Sequence, residues 1–314
     1  MEISISAKCK FRQTHHKGAY LMNHLKTSGS ISKLASFTGT IDYPLMNDYM
    51  FRSVMQSNEN VLKGLLCSLL HLNPNDIWSV QILNPIELGK RISDKDFILD
   101  IKILMNNNTS INLEMQVNNR YNWPERSLVY LSRLFDGLNA GEAYKAVKPA
   151  FQIGILNFTP FPGYPEFFST YKMLNTKNYH KYSDKFTIHV LDLTQIHLAA
   201  KEDKDYDLDK WARLFNALTW EDFKMISADN RSMQEAGETL FTLNEDDRIR
   251  NQCEAREDYR RTWDGVKQNM DELQMKIAEL KLSNTELKSM NEKKDNLIAS
   301  LEAQIAELQQ QTYL

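Results

Sequence analysis

Residues 97–117, with the sequence FILDIKILMNNNTSINLEMQV, are the stretch on which the fold of this chain depends. Two apolar runs rich in β-branched residues flank MNNNTS, a polar segment with the composition of a turn, so the stretch is predicted to form a β-hairpin. Because successive residues of a strand point to opposite faces, the second strand is expected to place Asn112, Glu114 and Gln116 on one face and its apolar side chains on the other.

The first strand of this hairpin carries Asp100 and Lys102 on its polar face. If the turn centres on Asn107, Asp100 lies directly across from Glu114, with the two Cβ atoms about 4.5–5.5 Å apart. Two carboxylates this close repel each other unless a cation lies between them or one of them holds a proton. A divalent metal is one solution, since Mg²⁺ is commonly held by one or two carboxylates plus waters and phosphates. The alternative is a solvated polar face on a half-buried sheet.

The spacing of Asp100, Glu114 and Gln116 resembles the PD-(D/E)XK nuclease motif in its E-x-Q form. That form is typical of the recombination-promoting nuclease (Rpn) group, also called PD-(D/E)XK nuclease family transposases. The resemblance covers about residues 43–195 and extends to several segments. These are NDYMFRSVM at 47–55, the ILDI and LEMQV strands of the hairpin, Arg126 and Tyr130 in the following helix, and FTIHVLDL at 186–193.

The resemblance implies an α/β fold with a PD-(D/E)XK (restriction-endonuclease-like) core, in which helices flank a mixed central sheet. It also implies that the chain is an endonuclease, which hydrolyses DNA phosphodiester bonds with Mg²⁺, or alternatively Mn²⁺. Asp100 and Glu114 would hold the metal, and Asp48, in the helix before the sheet, is a candidate third ligand. The alternative for Asp48 is an acid at a helix N-terminus, where the helix dipole stabilises it.

Gln116 occupies the position at which the wider superfamily has a lysine. An amide can orient a water or a phosphate, but it cannot supply a positive charge. Lys102, on the same strand face as Asp100, is expected to take that role, and the resemblance places Arg126 towards the site or the DNA backbone. The alternative for Arg126 is a surface arginine. The alternative for the whole chain is a catalytically inactive coiled-coil adaptor on a nuclease fold. The missing lysine favours the adaptor, whereas the intact carboxylate pair favours the nuclease.

The composition sets limits on these interpretations. The formal net charge is −3, which argues against a surface that binds DNA everywhere, although a local basic groove is enough to hold the phosphate backbone. The sequence contains no run of about 18 apolar residues, so no transmembrane helix is expected. The three cysteines are scattered and lack metal-binding spacing. They are predicted to be reduced thiols of a cytoplasmic protein.

Four segments are predicted along the chain. Residues 1–40 lack apolar periodicity and are expected to be disordered, residues 41–200 form the nuclease-like domain, and residues 201–263 form a helical extension. Residues 264–314 carry leucine on one seven-residue register and isoleucine or asparagine on the companion register. This pattern favours a two-stranded parallel coiled coil, and hence a homodimer. The alternative is a single helix folded back on the domain.

Further elements are expected within the nuclease-like domain. The predicted elements are a helical region over 46–71 divided near Asn58, strands over 77–83, 150–158 and 186–193, and a helix from Trp123 to about Gly141. Between the last two strands, residues 171–185 interleave lysine with tyrosine. Such a segment can stack bases on tyrosine and pair phosphates with lysine; the alternative is an exposed connection.

Overall fold

The computed structural model describes residues 33–86, 88, 100–138 and 141–312. Its strands are β1 (Val80–Ile82), β2 (Ile101–Met105), β3 (Thr109–Gln116), β4 (Ala150–Leu156), β5 (Phe168–Lys172) and β6 (Phe186–Asp192). Its helices are α1 (Asp48–Ser57), α2 (Glu59–Leu70), α3 (Trp123–Phe135), α4 (Lys201–Asp205), α5 (Leu208–Phe215), α6 (Trp220–Ser227), α7 (Arg231–Asn244) and α8 (Asp247–Thr312). The first residues of the predicted hairpin, Phe97 to Leu99, lie outside the described residues.

The described strands form one mixed sheet in the order β1-β2-β3-β4-β6-β5. The pairs β1–β2, β2–β3 and β5–β6 are antiparallel, whereas β3–β4 and β4–β6 are parallel. Because β3, β4 and β6 run in the same direction, their carboxyl ends lie together at one end of the sheet. The predicted α/β fold, with a mixed sheet and flanking helices, is confirmed.

The hairpin has the predicted register. Ile101 pairs with Leu113 and Met105 pairs with Thr109, so the next pair beyond Ile101 brings Asp100 opposite Glu114. The turn contains Asn106 and Asn107, both with positive φ (51° and 57°), a conformation that asparagine adopts more readily than most residues.

Two predicted helix boundaries, one at Asn58 and one at Gly141, can be compared with the structure. Asn58 divides the first helical region as expected, because its side chain accepts hydrogen bonds from the backbone N–H groups of Asn60 and Val61 and so caps α2. The helix that begins at Trp123 was predicted to reach Gly141, but it ends at Phe135. Gly137, a poor helix former, lies two residues beyond this end.

The two faces of the sheet have different partners. Ile111, Leu113 and Met115 of β3 belong to the main hydrophobic core, which also includes the buried faces of α1, α2 and α5 to α7. The opposite face packs against α3, where the Trp123 ring lies so close to Gly154 of β4 that a Cβ atom there would be 2.1 Å from the ring. The absence of a side chain at Gly154 therefore lets α3 begin beside the polar face of β3.

Residues 33–40, expected to belong to a disordered segment, pack on the helices instead. Leu34 is buried, Phe37 stacks on Phe241 at a centroid distance of 3.5 Å, and Thr40 forms a β-bridge with Thr219. These contacts join residues about 200 positions apart, which local periodicity cannot show. Residues 1–32 lie outside the described part of the chain.

The chain divides into two compact units, one ending at Arg256 and the other comprising residues 257–314. The second unit is a continuation of α8, which is a single helix over its whole length. Its apolar stripe is exposed in the single chain, as Leu273 (59%), Ile277 (51%) and Leu280 (61%) illustrate. Among the helices described, none combines the length and apolar character needed to cross a membrane.

Candidate active site

Asp100 and Glu114 form a buried carboxylate pair near the end of the sheet where the parallel strands have their carboxyl ends. Both residues are only 5% exposed. Glu114 also pairs with Gly154 on the neighbouring strand β4, so its side chain lies on the face covered by α3. Burial raises the pKa of both carboxyl groups, because water no longer stabilises their charged forms.

Arg126, in the first half of α3, binds only one of the two oxygens of Glu114. Its Nε atom donates to Oε1 at 2.8 Å, and Nη2 forms an ion pair with the same oxygen at 2.7 Å. The second oxygen, Oε2, is buried and has no hydrogen-bond partner. The Arg126 guanidinium also lies 4.8 Å from the centre of the Tyr130 ring. The charge of Arg126 opposes the effect of burial on the Glu114 pKa, but the net direction remains upward.

The backbone at Asp100 is held by a second buried arginine. Arg52 of α1 is fully buried, and its two terminal nitrogens donate to the main-chain oxygens of Asp100 and Asn84. The Asn84 amide also donates to the Asp100 oxygen, at 3.0 Å, and accepts from the Lys102 N–H, at 2.8 Å. The Arg52 side chain therefore fixes the main chain at Asp100, immediately before β2. It does not occupy the Asp100 carboxylate, which remains available to other partners.

Arg52 is a residue that the sequence interpretation missed. The available signal was a cation between Phe51 and Val54 in the apolar stripe of a helix. Burial lowers its pKa to about 10, with the nearby Asp100 acting in the opposite direction.

Gln116 and Lys102 flank the carboxylate pair. The Gln116 amide nitrogen donates to the Asn118 carbonyl at 3.0 Å, while its oxygen Oε1 is buried without a partner. Lys102 is exposed, and its charge partly offsets the effect of burial on the Asp100 pKa. The structure thus brings together four of the five predicted site residues.

Asp48, the fifth predicted residue, has a different partner. It is the first residue of α1, and its carboxylate pairs with Arg256, with Nε 2.9 Å from Oδ1 and Nη2 in contact with Oδ2. Within the described ranges no three His, Cys, Asp or Glu residues form a group suited to a metal. The Asp48 carboxylate is therefore paired with Arg256, and the role of third ligand stays a prediction.

The donor atoms at the pair suit a hard divalent cation. Glu114 offers a buried carboxylate oxygen without a partner, and the Asp100 carboxylate lies in the adjacent register position. Both groups carry pKa values raised by burial, so a cation bound between them would relieve their unfavourable charging. Two carboxylates completed by water molecules are a common ligand set for Mg²⁺.

Comparison with known proteins supports the assignment made from the motif. The family model described as "PD-(D/E)XK nuclease family transposase" matches residues 45–272 of this chain. Comparison with curated proteins and with solved structures gives no match. The family match confirms the resemblance drawn from the Asp100, Glu114 and Gln116 motif, and the recombination-promoting nuclease group is a reasonable assignment within that family.

Proposed function

Because the chain belongs to the PD-(D/E)XK nuclease family transposases, we propose that it is a metal-dependent DNA endonuclease. The observation that carries this proposal is the buried pair of Asp100 and Glu114, with one Glu114 oxygen lacking a partner. A buried carboxylate oxygen without a hydrogen bond is costly in a purely structural role. It is expected where a ligand completes the site.

In the proposed site, Asp100 and Glu114 would hold Mg²⁺, or alternatively Mn²⁺. A metal held there would polarise the phosphate and make a nearby water more acidic. Arg126 favours the ionised form of Glu114 against the effect of burial on its pKa, and because it contacts only Oε1, Oε2 is available to a ligand. The backbone contacts of Arg52 hold Asp100 in register with Glu114.

The chain also offers polar groups for the water and the phosphate. The unpartnered Oε1 atom of Gln116 can accept a hydrogen bond from the attacking water and so orient it. The exposed amino group of Lys102 can pair with a phosphate oxygen and supply the positive charge that Gln116 lacks. Arg126 adds a second positive charge to the same site, which reduces the need for the missing lysine.

A homodimer through the second unit completes the proposal. The exposed stripe of α8 places leucine and isoleucine on the two registers typical of a parallel coiled coil, with Asn284 and Asn291 on the isoleucine register. Asparagine at such positions fixes the register of two parallel helices. The dimer would supply two copies of the site for one DNA molecule. A cytoplasmic location stays a prediction.

A plasmid-nicking assay with Mg²⁺, Mn²⁺ or EDTA tests this function. The proposal expects relaxation of supercoiled DNA with either metal and none with EDTA. The rival function is the inactive adaptor, which the absence of a lysine at Gln116 favours. It predicts no nicking under any of these conditions, and no heat of Mg²⁺ binding in isothermal titration.

A further inference from the structure

Residues 171–185, here named the Lys–Tyr arm, connect β5 to β6 as a closed hairpin beyond the sheet. Leu174 and Lys181 form a β-bridge. The Asn175 N–H donates to the His180 carbonyl at 2.9 Å, and the Tyr182 N–H donates to the Met173 carbonyl at 3.0 Å. The arm therefore has a defined conformation, which lowers the entropy lost when it binds a partner.

The arm carries large side chains that remain exposed to solvent in the single chain. All residues from 171 to 182 are exposed. Tyr179 and Tyr182 are 76% and 81% exposed, and Met173 and Leu174 are each about half exposed (50% and 48%). A group of exposed aromatic and apolar side chains on an ordered segment marks an interaction surface.

The charge of the arm indicates the kind of partner. Four lysines face a single acid, Asp184, so the arm carries +3 within a chain whose net charge is −3. Lys172 and Lys181 share one oxygen of Asp184, at 3.2 and 2.7 Å. Lys177 makes no ion pair with the described residues.

Lys185 has a different role from the other three lysines. Its amino group donates to the carbonyls of Lys145 and Val147, at 3.3 and 2.8 Å. This contact fixes the base of the arm to the segment before β4. The lysines available to a partner are therefore Lys172, Lys177 and Lys181, which lie nearer the tip of the arm.

The arm lies away from the candidate active site. Phe186, where β6 begins, pairs with Ala150 at the start of β4, whereas Glu114 pairs with Gly154 further along the same strand. The arm thus leaves the sheet at the end opposite to the carboxylate pair. Its lysines and tyrosines are not part of the metal site.

We propose that the Lys–Tyr arm binds single-stranded nucleic acid, with bases stacked on Tyr179 and Tyr182 and phosphates paired with Lys172, Lys177 and Lys181. Aromatic side chains within a basic surface are the usual means of holding unpaired strands. Lysine is depleted in interfaces between proteins, so a protein partner fits this surface less well. The inference rests on the proposed function, because it assigns a nucleic-acid enzyme a contact with unpaired strands that is remote from the chemistry.

Binding is measured on the full chain in EDTA, by fluorescence anisotropy with a labelled oligothymidine of about 20 nucleotides. The double variant Tyr179→Ala/Tyr182→Ala is expected to lose at least about tenfold in affinity, since each stacked base contributes measurably to affinity. Tyr179→Phe/Tyr182→Phe should retain the wild-type affinity, because the ring survives. Trp78→Ala is the matched control, since Trp78 is 67% exposed and precedes β1 at the other edge of the sheet.

A second variant should increase the affinity. Asp184→Asn releases Lys172 and Lys181 for phosphates, so binding should strengthen severalfold and depend more steeply on salt concentration. Asp229→Asn is its control, because Asp229 is likewise an exposed carboxylate paired with a lysine, Lys210. A purely structural role for Asp184 predicts the opposite sign, since loss of its ion pairs would loosen the arm.

The outcomes are separable from those of the nuclease assay. Binding is measured in EDTA, where the proposed nuclease is inactive, so binding by the arm can be observed even if nicking is never observed. Circular dichroism establishes that each variant is folded. The proposal is overturned if the wild type does not bind the oligonucleotide, if the tyrosine-to-alanine variant binds it equally well, or if that variant loses affinity only for duplex DNA.

Discussion

Two nitrogens of Arg126 contact the same oxygen of Glu114, at 2.8 and 2.7 Å, and the other oxygen of that buried carboxylate has no hydrogen-bond partner. A bidentate arginine–carboxylate pair uses both oxygens, so this arrangement differs from an ordinary structural ion pair. It opposes the effect of burial on the Glu114 pKa and still leaves one oxygen available to a ligand. Several consequences can be measured.

The first prediction concerns Arg126. In Arg126→Ala the buried Glu114 loses its counter-charge, so its pKa, already raised by burial, should rise further. Metal binds the ionised carboxylate, and the Mg²⁺ affinity should therefore fall more steeply from pH 8 to pH 6 in the variant than in the wild type. Isothermal titration at both pH values measures this, with Arg213→Ala as a control. Parallel pH dependences would show that Arg126 does not sustain the charge of Glu114.

The second prediction concerns Asp100 and stability. Its pKa is raised in the folded state, mainly by burial. The folded state therefore binds more protons than the unfolded state between the unfolded and folded pKa values, and the group lowers stability as pH rises through that window. Asp100→Asn should melt at a higher temperature than the wild type at pH 7.5 in EDTA, and this difference should vanish near pH 4.

The melting of the same variant with metal provides its check. Added Mg²⁺ should raise the melting temperature of the wild type but not that of Asp100→Asn, since a ligand stabilises only the state that binds it. A lower melting temperature for Asp100→Asn in EDTA at pH 7.5 would contradict the inference that the buried charge is unfavourable without metal. Asp229→Asn, an exposed acid, should show neither effect.

The third prediction concerns Arg52, which is fully buried. Arg52→Met should destabilise the fold by about 2 kcal/mol or more, because buried carbonyl groups at Asp100 and Asn84 lose a donor. Chemical denaturation measures the change. Arg231→Ala is the control, since Arg231 is 90% exposed in its ion pair and should cost well under about 1 kcal/mol. If the two substitutions lowered the free energy of unfolding equally, Arg52 would not have the anchoring role assigned to it.

The part of the site that alternation and turn chemistry control could be predicted from sequence. The polar face of β3, the turn near Asn107 and the opposition of Asp100 and Glu114 all depend on residues within one hairpin. The roles of Arg52 and Asp48 could not be predicted in this way. The first depends on a helix crossing the sheet, and the second on Arg256, 208 residues further along the chain.

The same limit applies to the packing around the site. A glycine within a strand is an ordinary feature of a sequence, but Gly154 is the place where Trp123 contacts the sheet and α3 begins. Local periodicity likewise gave no sign that Leu34 is buried or that Phe37 stacks on Phe241. Each of these contacts is made by residues with little local pattern, and only the assembled helices and sheet define them.

The fourth prediction concerns assembly. Ile277 and Ile298 occupy the isoleucine register of the exposed stripe, so Ile277→Lys/Ile298→Lys should convert a dimer into a monomer in light scattering. The charge-matched control, Ala278→Lys/Ala299→Lys, changes neutral positions outside both registers and should remain a dimer. If the isoleucine-to-lysine variant remained a dimer, the interface would have to lie outside this helix. If the wild type were a monomer, the coiled-coil dimer would be rejected.

The central claim is that Asp100 and Glu114 form a metal-dependent nuclease site, and the most direct test compares the wild type with Glu114→Ala. Both are purified identically and incubated with supercoiled plasmid and Mg²⁺. The account predicts nicking by the wild type, none by Glu114→Ala, and similar circular dichroism spectra for the two. Equal nicking by both proteins would contradict the account, because the activity would then come from another site or from a contaminant.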